Sequence, residues 1–115
     1  MDMDICFEGI GQVTATFQVD GEVLPGMAVA LTGSGTVGPG GDGDAPCGVV
    51  LSGPRGGMAA VQIGGAAKVS YSGSAPKAGW QELACDGKGR VKTGGGLKCL
   101  VLAVDEDEGS VTIKL

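Results

Sequence analysis

Histidine is absent from the chain, aromatics amount to two Phe, one Tyr and one Trp, and only eight residues are basic. Each shortage excludes something. Without histidine no nucleophile–histidine pair can form, and acid/base work would fall to carboxylates, lysine or cysteine. Arg55, Lys68, Lys77, Lys88, Arg90, Lys92, Lys98 and Lys114 are scattered, and the net charge is −5. Direct nucleic-acid binding, which needs a clustered basic face, is not expected; Lys88, Arg90 and Lys92 read as one solvated hairpin face. No run approaches the roughly 20 apolar residues of a membrane span. The opening "MDMDICFEG" carries acids where a signal peptide needs a basic region. The expectation is a protein made in the bacterial cytoplasm, with no membrane partner.

With large side chains so scarce, the core must come from Val, Leu, Ile, Ala and Met. Glycine is abundant, at 24 of 115 residues, and 43% of the chain is apolar. That pairing reads as short strands joined by glycine turns, not as disorder. "QVTATFQV" alternates, with Val13, Ala15, Phe17 and Val19 on one face. "GMAVAL", "CGVVLS", "MAAVQI" and "AAKVSYSG" continue the extended rhythm. "QELACDGKGRVKT" carries the sharpest hairpin signal at Asp86-Gly87. "LKCLVLAV" has apolar residues on both faces, so it is expected to be covered on both sides, and "SVTIKL" closes the chain after "DEDEG". No window shows a helical period. The fold class predicted is all-β: one domain over residues 1–115, a small β-barrel or β-sandwich of about eight to ten short strands with glycine-rich loops. Within it, residues 1–9 read as an N-terminal arm and 32–46 as one long glycine-rich loop.

That loop holds Gly33, Gly35 and Gly38 in G-x-G-x-x-G spacing. The dinucleotide fingerprint needs a helix opening directly after the glycines. Pro39, Gly40, Gly41, Gly43 and Pro46 follow instead, so a nucleotide site is rejected. Asp42 and Asp44 resemble one calcium-binding glycine–aspartate repeat, but such sites stack several copies. Asp105 to Glu108 read as a solvated turn without the later glutamate of an EF-hand. Cys6, Cys47, Cys85 and Cys99 contain no C-x-x-C pair and have no histidine to join them; buried free thiols are preferred over two disulfides or a four-thiolate zinc site. No catalytic residue, cofactor or metal is assigned, and the chain is read as a non-enzyme.

From Gly26 onward the order of features resembles the phage capsid decoration, or capsid cement, proteins. The stretches that carry it are "PGMAVALTGSGTV", "APCGVVLSG", "GGMAAVQIGGAAKVSYSG", "AGWQELACDGKGRVKT" and "LKCLVLAVDEDEGSVTIKL". It is a succession of glycines and small apolar strands, not a catalytic signature. Two departures stand out: the loop is richer in glycine than the family pattern, and the opening segment is more strand-like. The resemblance implies a structural protein of a bacteriophage or prophage that binds the major capsid protein as a homotrimer. It would end on the exterior of the virion capsid and stabilise the head.

Candidate interface residues follow from the terminal arm, the loop and the lone tryptophan: Met1, Asp2, Asp4, Phe7, Gly35, Val37, Asp42, Asp44 and Trp80. For Trp80 itself the scarcity of large residues favours a core position over a partner anchor. The alternative reading is a small β-barrel binding or carrier module presenting Lys88 at a hairpin tip for modification, although "CDGKGRV" lacks the neighbours usual around such a lysine.

Overall fold

A computed structural model describes residues 12–115. Ten strands follow one another with no helix among the described residues: β1 (Val13–Val19), β2 (Ala28–Gly33), β3 (Thr36–Pro39), β4 (Gly48–Arg55), β5 (Met58–Gly64), β6 (Ala66–Ser70), β7 (Gly79–Cys85), β8 (Val91–Thr93), β9 (Leu97–Asp105) and β10 (Ser110–Lys114). The all-β prediction holds, and the barrel form is the one realised. Strands β1-β3-β2-β4-β5 close into a barrel, and the other five form a sheet ordered β6-β10-β9-β7-β8.

The predicted loop 32–46 is corrected. Thr32 and Gly33 finish β2, Ser34-Gly35 turn the chain, and Thr36–Pro39 return as β3, which pairs antiparallel with β2 and parallel with β1. Only residues 40–47 connect to β4. Four residues of β3 among glycines carry too short a pattern to stand out, and the ladder on both sides supplies what local preference lacks.

The two sheets have the same topology. In the first, β1 pairs β3 in parallel and β5 antiparallel, β2 pairs β3 and β4, and β4 pairs β5. In the second, β6 stands for β1, β7 for β2, β8 for β3, β9 for β4 and β10 for β5. Every antiparallel pairing recurs, and a parallel bridge from Tyr71 to Val91 stands for the β1–β3 ladder. The registers agree as well. Ala15↔Val61 and Phe17↔Ala59 correspond to Ala67↔Ile113 and Val69↔Val111, while Leu31↔Val37 corresponds to Cys85↔Val91. The chain is therefore two consecutive copies of one five-strand unit, and the sequence reading missed the repeat. Its clearest trace is Thr32-Gly33-Ser34-Gly35-Thr36-Val37 against Asp86-Gly87-Lys88-Gly89-Arg90-Val91. Gly35 and Gly89, with φ of +65° and +82°, take the left-handed turn position in each hairpin.

Unit 1 packs Val23, Val29, Val37, Val50, Ala59 and Val61 into its own centre. The second cluster crosses the seam: Ala28 and Val49 of unit 1 join Ala67, Val69, Leu83, Val91, Cys99, Val101, Val111 and Ile113. Leu83 is wholly buried there. Truncating it should cost about 2–5 kcal/mol through lost burial and an unfilled cavity. Because the cluster spans both units, Leu83→Ala should lower the midpoint of a single cooperative unfolding transition in urea followed by circular dichroism; two separate transitions would show that the units fold independently.

Candidate functional site

Residues 40–44 form an arm that leaves unit 1 and lies along the edge of β7 in unit 2. Beyond Leu83 the β7–β9 ladder ends, leaving the Cys85 backbone without a strand partner on that side. The arm fills it: the Gly43 N–H donates to the Cys85 carbonyl at 2.9 Å, and the Cys85 N–H donates to the Asp44 carbonyl at 2.7 Å. Two arm residues thus face one on β7, the pattern of a G1 bulge, whose first residue must be glycine in a left-handed conformation. Gly43 has φ +96°. Gly40 is needed for a different reason, since a Cβ there would collide with the Cys85 thiol.

Side chains complete the seam. Asp42 is ion-paired to Lys92, and the Asp44 carboxylate accepts the Gly41 N–H at 2.9 Å, holding the arm's own turn. Ala28 N–H donates to the Gly89 carbonyl at 2.9 Å while Met27 lies over Gly89. Asp86 organises the β7–β8 hairpin: one carboxylate oxygen accepts the backbone N–H groups of Lys88 (2.7 Å) and Arg90 (3.1 Å), and the other accepts Arg90 Nε at 2.8 Å. Its side chain is only 5% exposed. Burial pushes its pKa up, but these hydrogen bonds and one from Ser72 outweigh that and hold it below the ordinary carboxylate value.

The interface candidates fare unequally. Gly35 is exposed at the β2–β3 tip. Val37 is wholly buried in unit 1, so it is a core residue and not a contact. Asp42 and Asp44 are exposed and are also engaged within the chain, Asp42 with Lys92 and Asp44 with the Gly41 N–H. Met1, Asp2, Asp4, Phe7 and Cys6 lie outside the described residues. Trp80 is 63% exposed, not core, and Lys98 Nζ stands 5.9 Å from its ring centroid, within cation–π range. Trp80 pairs with Leu100 across β7 and β9, so its side chain stands on the outer surface of a rigid ladder. Lys88 is exposed at the β7–β8 tip. Gly33, Gly35 and Gly38 lie on a β-hairpin with no helix after it. In the "DEDEG" turn Asp105 accepts the Glu108 N–H, and Glu108 pairs with Lys68 at 2.6 Å.

Cys47, Cys85 and Cys99 are free thiols, the latter two buried. Burial raises the pKa of all three, and Cys85, with Asp44, Cys47 and Asp86 nearby, is pushed up to about 11. The sequence reading missed the exposure of Leu31, 58%, because an apolar residue in an alternating run looks like core from pattern alone. No family model matches the chain, and no curated protein matches it.

Two measurements check this electrostatic picture. At pH 8 the native protein should leave Cys85 unlabelled by iodoacetamide in peptide mapping, since its thiolate fraction is negligible and the arm covers it; labelling as fast as in urea would contradict both. Asp86 has a lowered folded pKa, so its stabilisation is present above the unfolded value near 3.8 and is lost as pH falls through the folded one. Asp86→Asn should cost about 1–3 kcal/mol at pH 7, and this cost should shrink on acidification below about pH 4.

Proposed function

We propose that this chain is a structural binding protein that acts by fitting its pleated body against another polypeptide, as a decoration protein on the outer surface of a phage head. The exposed Trp80 carries the reading. A chain with one tryptophan and three other aromatics would be expected to spend that side chain on its core; instead it stands outward on a rigid β-ladder, where large aromatics serve as binding anchors. Leu24 at 65% and Leu31 at 58% add exposed apolar surface on unit 1. Support for the phage head comes from the succession of glycines and short apolar stretches from Gly26 onward that resembles the decoration proteins. A homotrimer on the shell belongs to the same reading.

The carrier alternative keeps one observation in its favour, the exposure of Lys88. Against it, the hairpin that bears Lys88 leans on unit 1, with Gly89 under Met27 and Gly87 beside Asp42, whereas a carrier must offer its lysine on a free-standing turn. An intact mass from the native host equal to that of the bare chain would remove this alternative.

Co-sedimentation with expanded, DNA-free heads from the same source tests the shell reading. The wild-type chain should pellet with heads, and Trp80→Ser should weaken binding by about thirtyfold or more, the loss of one aromatic anchor of about 2 kcal/mol. Its thermal midpoint should stay unchanged because the side chain lies outside the core. A wild-type chain that stays in the supernatant at micromolar concentrations would defeat the proposal.

A further inference from the structure

The two units differ at one edge, and the difference points to a binding site. In unit 2 the backbone of Cys85 is capped by the arm. The corresponding residue of unit 1 is Leu31, which holds the same place opposite Val37 that Cys85 holds opposite Val91. Strands β2 and β4 pair only at Ala28 and Val29 and then diverge. Val29 uses its carbonyl on the β4 side, accepting the Cys47 N–H at 2.8 Å. Backbone groups alternate sides along a strand, so two residues on, Leu31 directs its N–H and C=O to that same side. Among the described residues no backbone hydrogen bond reaches them there.

We infer that the β2 edge at Ala30–Gly33 is a strand-addition site that takes an extended segment of a partner polypeptide, in the manner in which β7 takes the arm. This rests on the reading of the chain as a polypeptide-binding protein and adds to it the place and the chemistry of contact. The internal arm is the precedent: the same unit, at the same register position, is built to accept an extended chain through one N–H and one C=O. Edges left open in natural sheets are normally guarded by charge or proline. Ala30, Leu31, Thr32 and Gly33 carry neither.

A second copy of this chain does not meet the need in the same way. Its arm is already engaged on its own Cys85. The connection of unit 2 that corresponds to the arm is only 94–96, and it folds back, Gly94 N–H donating to the Glu82 carbonyl at 3.0 Å. With neither connection able to supply the strand, the occupant of this proposal is an extended segment of a different polypeptide. Its chemistry follows from the substitutions between the units. Lys92, which holds the acidic arm, corresponds to Gly38, so no acidic residue is called for. The buried Cys85 corresponds to an exposed leucine, so the incoming strand must cover Leu31 with apolar side chains. Main-chain pairing supplies affinity, and the contact over Leu31 supplies selection.

The probe is a synthetic peptide, acetylated and amidated, with the arm's sequence Gly40–Pro46 and valine in place of Asp42, titrated into the full-length protein labelled with nitrogen-15. At roughly millimolar peptide, amide shifts should move at Ala30–Gly33 and not at the occupied Cys85 edge. Leu31→Pro removes the N–H at a position where the ring faces outward, which edge strands tolerate; it should weaken binding about tenfold. Leu31→Val keeps the donor and should bind within about twofold of wild type. Absence of shifts in β2, or equal binding by Leu31→Pro with its β-sheet circular dichroism intact, would overturn the proposal. If Leu31→Pro fails to fold, Leu31→Lys, which keeps the fold but places charge under the incoming apolar side chain, decides by the same criterion. Co-sedimentation of wild type with heads separates the two readings: its failure removes the shell as partner, while the titration still decides the edge.

Discussion

The seam between the two units is the constraint on which the rest of the molecule depends. A five-strand unit of about fifty residues buries too small a share of its surface to be secure alone. The chain meets this limit by joining two such units around a common apolar cluster in which Ala28 and Val49 pack with residues of β6 to β10. The arm then closes the seam with main-chain bonds to Cys85 and an ion pair from Asp42 to Lys92. The ion pair is a minor part: both partners are substantially exposed, and such pairs typically contribute below about 1 kcal/mol. Cys85, wholly buried beneath Gly40, is the more consequential contact, since any larger residue at position 40 would push the arm off the edge.

This answers why so much glycine lies between β2 and β4. Gly40 gives close approach, Gly43 gives the left-handed bulge residue, and the turn at Gly35 reverses the hairpin. The run is neither a phosphate cradle nor a slack loop. It is a short hairpin followed by a docked arm, and its two aspartates serve that docking.

Much of the fold was legible because it follows from alternation. Ala15, Phe17 and Val19 turn inward as their spacing requires although Val13 on the same face stays exposed, Asp86-Gly87 lies on the predicted hairpin, and β9 is covered on the face of buried Cys99 and Val101 but only half-covered on that of Leu100 and Leu102, which Trp80 shares. The repeat was not legible, because equivalent positions share apolar character and neither size nor identity: Phe17 corresponds to Val69, Val61 to Ile113, and the offset slips by two residues between β1 and β2. Exposure was misjudged in both directions for one reason. A strand's pattern says which residues share a face, but tertiary packing decides which face is covered. Val37 lies inside a closed barrel, Trp80 stands on a ladder that nothing covers, and neither fact is written in the local sequence.

The two units also show how one scaffold yields unlike surfaces by small changes. Lengthening the β3–β4 connection to residues 40–47, where unit 2 has only 94–96, supplies an arm on one side and none on the other. Identical reciprocal arms would make the contact propagate from copy to copy, and a heterologous contact of that kind closes into rings or grows into fibres. Here it ends after one step, inside the chain, because unit 2 has no arm to offer. The same asymmetry leaves Leu31 uncovered while Cys85 is sealed. A pair of equal units has thereby become one stable half-interface, used for folding, and one open edge whose backbone geometry is already fixed by β3 and so loses little conformational freedom when another chain pairs with it.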